Sequence, residues 1–187
     1  MAAATPLASH RILIMATDGF EQSELEVPLA RLREAGATVD IASLDTAEIT
    51  GWDEDDWGND VEVDLKIADV DIDDYDALVL PGGQINPDLL RVETVAIELI
   101  KAFDAANKPV GAICHAPWLL VEAGIAEGRR MTSYKSIRTD VGNAGADVVD
   151  EAVVVDGNII TSRCPDDLDA FCNAIVTAVV ESRTPAG

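Results

Sequence analysis

Pro109-Val-Gly-Ala-Ile-Cys-His-Ala-Pro117 decides the fold. Pro109 to Cys114 is a short apolar run of the kind that forms a strand buried on both faces, and helical spacing starts at once, from about His115 to Ala123. A buried strand feeding directly into a helix is the unit of an α/β sheet. The same alternation extends outward in both directions. Arg11-Ile-Leu-Ile-Met-Ala16 reads as a buried strand. A helix follows to about Ala35, with Leu25, Leu29 and Leu32 on one face and Gly36 as its stop. Pro28 lacks an N–H and fits best in a first turn, so regular helix is expected only from about Glu24. Thr38–Ser43, an alternating run Val61–Leu65, and Asp76–Pro81 read as further strands, and Val92–Ala106 as a helix. Thr50-Gly51 reads as a turn and Asp53–Asp56 as a solvated acidic loop. Ala152–Val155 and Ile159–Arg163 flank Asp156-Gly157, a hairpin signal, and a last helix spans Pro165–Glu181. The expectation is one domain over residues 1–187, ordered from about 10 to 182. It has a mostly parallel sheet covered on both faces, with one hairpin added.

Composition narrows the function. The chain has 35 acidic residues against 13 basic ones, a formal net charge of −22. That balance argues against nucleic acid or an anionic membrane as a partner. No apolar run approaches ~18 residues, so no transmembrane helix is expected. Met1–Ser9 lacks the basic and apolar segments of a secretory leader. A soluble, cytoplasmic protein is the expectation. The excess of Asp beside only 4 Lys also suggests adaptation to a salty cytoplasm. Cys114, Cys164 and Cys172 are too few for a disulfide framework, and with only His10 and His115 beside them no structural zinc site is expected. Asp53–Asp56 lacks the Gly and terminal Glu of a calcium loop. No metal and no cofactor is expected.

In open α/β sheets the site lies beyond the carboxyl ends of the strands, where Thr17–Glu24, Gly82–Pro87 and Cys114–Pro117 converge. Ala112-Ile-Cys-His-Ala116 has small residues two either side of a nucleophile, the spacing of a strand-to-helix elbow. The helix start beside Cys114 favours its thiolate. The backbone N–H after it and those of Gly82-Gly83 suit an oxyanion. The competing reading is an inert cysteine packed at a strand end. His115 is a candidate acid/base or a structural hydrogen-bonding group. Glu21, Glu24 and Glu26 either stabilise a helix start or place a protonated carboxyl beside Cys114. Cys164 is a redox candidate and Cys172 reads as core. Trp52 and Trp57 pack on a neighbour or on their own loop, and Trp118 walls a pocket or belongs to the core.

Ala16-Thr-Asp-Gly-Phe-Glu-Gln-Ser-Glu24, Asp76-Ala-Leu-Val-Leu-Pro-Gly-Gly83 and Ala112-Ile-Cys-His-Ala-Pro117 together resemble the DJ-1/PfpI family. Thr132-Ser-Tyr134, Asn143-Ala-Gly145 and Val155-Asp-Gly-Asn-Ile-Ile-Thr-Ser-Arg163 extend the likeness over about Arg11 to Glu181, closest to the PfpI-type protease/amidase branch. The resemblance implies a flavodoxin-like three-layer sandwich. It makes Cys114 the reactive cysteine, Glu24 the buried glutamate beside it, Glu21 a second acid of the same loop, and His115 the histidine of the Cys-His pair. Gly83 and His115 become the oxyanion donors. Protease-like members take an acid from a neighbouring subunit; the corresponding position is Asp88, in a loop one residue longer and with a shorter side chain. Dimers and larger homo-oligomers are implied. The activities implied are peptidase or amidase, glyoxalase or deglycase-like chemistry on small-molecule or peptide substrates, and stress protection. The alternative is a non-enzymatic redox sensor or chaperone acting through oxidation of Cys114.

Overall fold

The computed structural model describes residues 5–182; Met1–Ala4, the start of the stretch weighed above as a leader, lie outside it. The chain opens with β1 (Arg11–Met15), β2 (Phe20–Glu21), α1 (Gln22–Glu34) and β3 (Thr38–Ser43), followed by β4 (Ile49–Asp53), β5 (Asp56–Val61) and β6 (Leu65–Lys66). The middle is β7 (Ala77–Leu80), α2 (Ile85–Leu90), α3 (Thr94–Ala105), β8 (Val110–Ile113) and α4 (Pro117–Glu122). It closes with β9 (Arg130–Met131), α5 (Arg138–Asn143), β10 (Asp147–Val148), β11 (Val153–Asp156), β12 (Ile159–Ser162) and α6 (Leu168–Ser182).

Seven strands form the central sheet in the order β11-β12-β8-β7-β1-β3-β6. All neighbours run parallel except β11 and β12, the hairpin expected at Asp156-Gly157. The period of two along β1 divides the core: Leu13 and Met15 join one apolar layer, Ile12 and Ile14 the other. On the first face the strands pack against α3 and α4 through Ile100, Phe103, Leu119 and Leu120. On the second, Leu25 and Leu32 of α1 and Phe171, Ile175 and Val179 of α6 cover the sheet. The result is the expected three-layer sandwich.

Four local expectations change. Pro28 sits well inside α1, which starts at Gln22 rather than near Glu24. Burial of Leu25, Pro28 and Leu32 against the sheet outweighs the hydrogen bond that proline removes. The turn at Thr50-Gly51 and the acidic loop belong instead to a second hairpin, β4–β5, which pairs with β2 in a small sheet. There Trp52 and Trp57 pack edge-to-face on each other, ring centroids 5.4 Å apart, and so on their own hairpin. The run Val61–Leu65 is not one strand: β5 ends at Val61 and β6 starts at Leu65. Finally, the segment after Gly83 holds a short helix, α2, so Asp88 lies on a helix and not in a loop. No described helix is long and apolar enough to cross a membrane.

Candidate active site

The site is assembled where β7, β8 and the β1–α1 connection end together. Cys114 follows β8 with φ +64°, a left-handed conformation unusual for a residue with a Cβ. The turn is held from three sides. Its own N–H donates to the Ser162 carbonyl (3.1 Å), its carbonyl accepts from Tyr134 N–H (2.8 Å), and Ala116 N–H closes back on the Ile113 carbonyl (3.0 Å). Such strain, worth roughly 1–3 kcal/mol, persists only where the surroundings over-determine it. Ala112 and Ala116, both fully buried, leave room for the turn.

Gly82 and Gly83 bring backbone N–H groups to the same point. A Cβ on Gly82 would lie 2.5 Å from Glu24 Oε2 and 2.6 Å from both Cys114 Cβ and the Ile113 carbonyl, so glycine is required for this approach. Gly83, at φ +77°, would meet Glu21 N and the Gly19 carbonyl at 2.6 Å. The N–H groups of Gly83 and His115 both favour negative charge on the Cys114 sulfur. They therefore flank the place where charge develops.

Glu24 is fully buried in the first turn of α1; its Oε2 accepts from Gly82 N–H at 2.9 Å. Its Oε1 has no conventional hydrogen-bond partner among the described residues. Burial first, and then Glu21, push the Glu24 carboxyl up to about 8. Burial and the Glu24 charge push the Cys114 thiol up as well. Two acids in contact and away from water do not both ionise, so the pair retains a proton through neutral pH. With that proton on Glu24, its repulsion of a thiolate disappears and its O–H is free to donate to sulfur. Glu21 is half-buried, accepts from Ser23 Oγ (3.2 Å), and is raised mainly by burial, with Asp53 and Glu54 of the second hairpin adding to it. Glu26 turns elsewhere, accepting from Asn59 Nδ2 at 3.0 Å.

His115 Nδ1 lies 3.2 Å from Cys114 Sγ, and its Nε2 lies 3.1 Å from Ser136 Oγ. The ring is stacked on Tyr134 at 4.7 Å and met edge-on by Trp118 at 5.3 Å. Burial lowers the pKa of His115, so the neutral imidazole is favoured. If Nε2–H donates to Ser136, Nδ1 presents a lone pair to the thiol. Adjacent side chains that could have pointed apart therefore meet.

Asp88 is not brought to His115 within the protomer. It is exposed on α2, lining a hollow of about 320 Å³ with Gln84, Ile85, Leu89 and Trp118. Trp118 is thus a wall residue, its Nε1–H held by Asp140 at 2.9 Å. Cys172 is core, 2% exposed, its thiol pushed up by burial to about 11. Cys164 is half-exposed, its Sγ 3.7 Å from Asp167. Among the described residues no three His, Cys, Asp or Glu side chains are grouped to hold a metal.

Two residues escaped the sequence reading. Ser136 lies 21 positions beyond His115 in a 3-10 turn that carries no periodicity. Asn86 is fully buried and ties two of the converging loops together: Oδ1 accepts from Thr17 N–H (2.8 Å), and Nδ2 donates to the Pro81 (2.9 Å) and Gly82 (3.2 Å) carbonyls. Its only sequence signal is a polar residue shortly after Pro81-Gly82-Gly83.

Comparison with known proteins follows from this geometry. Residues 10–178 match the model of the DJ-1/PfpI family. The chain is 43% identical over 166 residues to a Pyrococcus furiosus protein named Deglycase PfpI, covering 89% of this chain and 97% of that one. It is 42% identical over 172 residues to General stress protein 18 of Bacillus subtilis, covering 86% and 92%. The crystal structure of Drosophila melanogaster DJ-1beta superposes with a TM-score of 0.83 at 30% identity, covering 93% of this chain and 95% of that one. With its sheet, its strained cysteine and a family match over residues 10–178, this chain belongs to the DJ-1/PfpI family.

Proposed function

We propose that the protein is a cysteine-dependent hydrolase of the PfpI type, acting on a carbonyl carbon with Cys114 as nucleophile. One observation carries the reading: a strained Cys114 has His115 Nδ1 at 3.2 Å on one side and the N–H groups of Gly83 and His115 directed at its sulfur. His115 Nδ1 takes the thiol proton as Sγ attacks the carbonyl carbon. The carbonyl π-electrons move to oxygen, where the two N–H groups hold the oxyanion. Collapse expels the amine, which takes the proton from His115. Water then attacks the thioester, with His115 again moving the proton, and releases the acid and the free thiol. Glu24 acts through Cys114: protonated, it steadies the thiolate without competing for its charge.

The names of the relatives favour a deglycase-like substrate over ordinary peptide bonds, namely the rearranged amide form of a 2-oxoaldehyde–amine adduct, whose acyl carbon bears the amine that collapse expels, and they favour a stress-linked role. The reading extends to a cytoplasmic homo-oligomer. Asp88 has no partner in the protomer and stands beside Leu89, 45% exposed, and Val92, 77% exposed. A second copy seated there gains the apolar cover, and the acid becomes available to its His115.

The test is turnover of a methylglyoxal–amine adduct and a peptide panel by the native protein and Cys114→Ala. The variant is expected to lose at least about a hundredfold in kcat/KM, as removal of a covalent nucleophile does. Full turnover by Cys114→Ala would overturn the reading. If no substrate turns over, and mild peroxide places oxygen on Cys114 selectively by mass spectrometry, the redox-sensor reading replaces it.

A further inference from the structure

In a chain with 35 acidic residues and 13 basic ones, cations without partners should be rare. Among the described residues every arginine and every other lysine has a carboxylate or a carbonyl oxygen within reach. Lys135 alone has neither. It lines an open cavity of about 570 Å³ together with Tyr134, Arg138, Arg163 and the carboxylates Asp150 and Asp166. In the same cluster Arg138 Nε is buried without a hydrogen-bond partner. That nitrogen is closed off from solvent, so the exposed Lys135 Nζ is the cationic donor the cavity leaves open.

The arrangement already holds one carboxylate. Asp150, 59% exposed, is gripped by both terminal nitrogens of Arg138 (3.1 and 2.7 Å) and by Arg163 (2.8 Å). Arg163 spends its other nitrogens on Asp167. The guanidiniums are therefore neutralised and fixed in place, and the remaining capacity is Lys135 Nζ. This cavity is also next to the chemistry. Tyr134 forms its wall and stacks on His115 at 4.7 Å; Ser136 of the same turn holds His115 Nε2; and Tyr134 N–H bonds the Cys114 carbonyl at 2.8 Å. One short segment thus buttresses the imidazole on one side and presents the cations on the other.

We infer that this cavity is a subsite for an anionic group of the substrate, a carboxylate or a phosphate, held by Lys135 while the carbonyl sits at Cys114. The inference rests on the reading of Cys114 as nucleophile and adds its substrate class: carbonyl compounds or adducts that carry an acid group. A 570 Å³ space has room for a group of that size together with its linking atoms.

Binding, not turnover, tests it, so its outcome is separable from that of the Cys114 experiment. The Cys114→Ser protein is titrated calorimetrically with acetyl-dialanine as the free acid, the same compound as its carboxamide, and inorganic phosphate. The free acid is expected to bind about tenfold tighter than the amide, as one charge-assisted contact allows, with phosphate competing. Lys135→Met in that background removes a partnerless exposed side chain, so the fold is undisturbed; it should erase the preference. Phosphate binding abolished by Lys135→Met, with acid and amide alike, identifies a phosphate subsite and supports the inference. Equal binding of acid and amide with no phosphate binding overturns it. So does a preference that survives Lys135→Met.

Discussion

Cys114 shows how much of a reaction one residue's backbone can carry. Its φ of +64° lifts the side chain out of the strand path and aims it at two N–H groups and one imidazole nitrogen. The cost is met by three backbone hydrogen bonds and by a glycine where no Cβ fits. Glu24 carries the electrostatic consequence at the same scale. Its carboxyl lies at about 8 in the fold against 4.5 as the unperturbed value, through burial above all. Between those two pH values the native state holds a proton that the unfolded chain has released. Its contribution is therefore fully present below about 4.5 and is lost as the pH rises through about 8. The stability of Glu24→Gln, which has no such proton to lose, should gain on the native protein across that window by on the order of a few kcal/mol. Denaturant midpoints measured for both proteins from pH 5 to pH 9 check it; a difference that stays constant with pH would falsify the assignment.

At the scale of elements, the strand-helix alternation places three loop ends at one edge of the sheet, and two short helices then decide what they meet. α4 starts only at Pro117, leaving Cys114–Ala116 as a tight turn in which the His115 N–H faces the Cys114 sulfur while the other two close backbone hydrogen bonds. α2 sets Asp88 and Leu89 at the surface, with Val92 just beyond its end. That face was not legible in the sequence, where Gly82–Pro87 read as a loop, because six residues are too few for a periodic signal. If a second copy covers it, Val92→Lys should shift the native mass toward monomer in light scattering while leaving far-UV dichroism unchanged. An unchanged oligomer in the variant would remove this face from the interface.

For the whole molecule the dominant quantity is charge. Most of its ion pairs lie at the surface, as with Lys66–Asp45 and Lys101–Glu98, where each is worth little. They do not offset a net charge of −22, so self-repulsion remains. Salt shortens its range from ~10 Å at 0.1 M to ~3 Å at 1 M. The melting temperature should therefore rise over that range of potassium chloride; a flat or falling trend would count against salt adaptation.

The sequence by itself determined the parallel sheet, its two helical layers, the Asp156-Gly157 hairpin and the strand-to-helix turn at Cys114. All of these follow from hydrophobic period and local turn chemistry, which act between near neighbours. The Gly82-Gly83 loop was legible as an oxyanion site, and the resemblance in its motifs singled out Glu24 from three nearby acids. Only the tertiary structure decided that His115 Nδ1 faces Cys114, that Ser136 and Tyr134 hold the ring, that Asp88 sits exposed on α2, and that Lys135 and Arg138 line one cavity. Those contacts join residues far apart in the chain or fix a side-chain direction. A linear pattern encodes neither, because packing chooses the rotamer and the partner together.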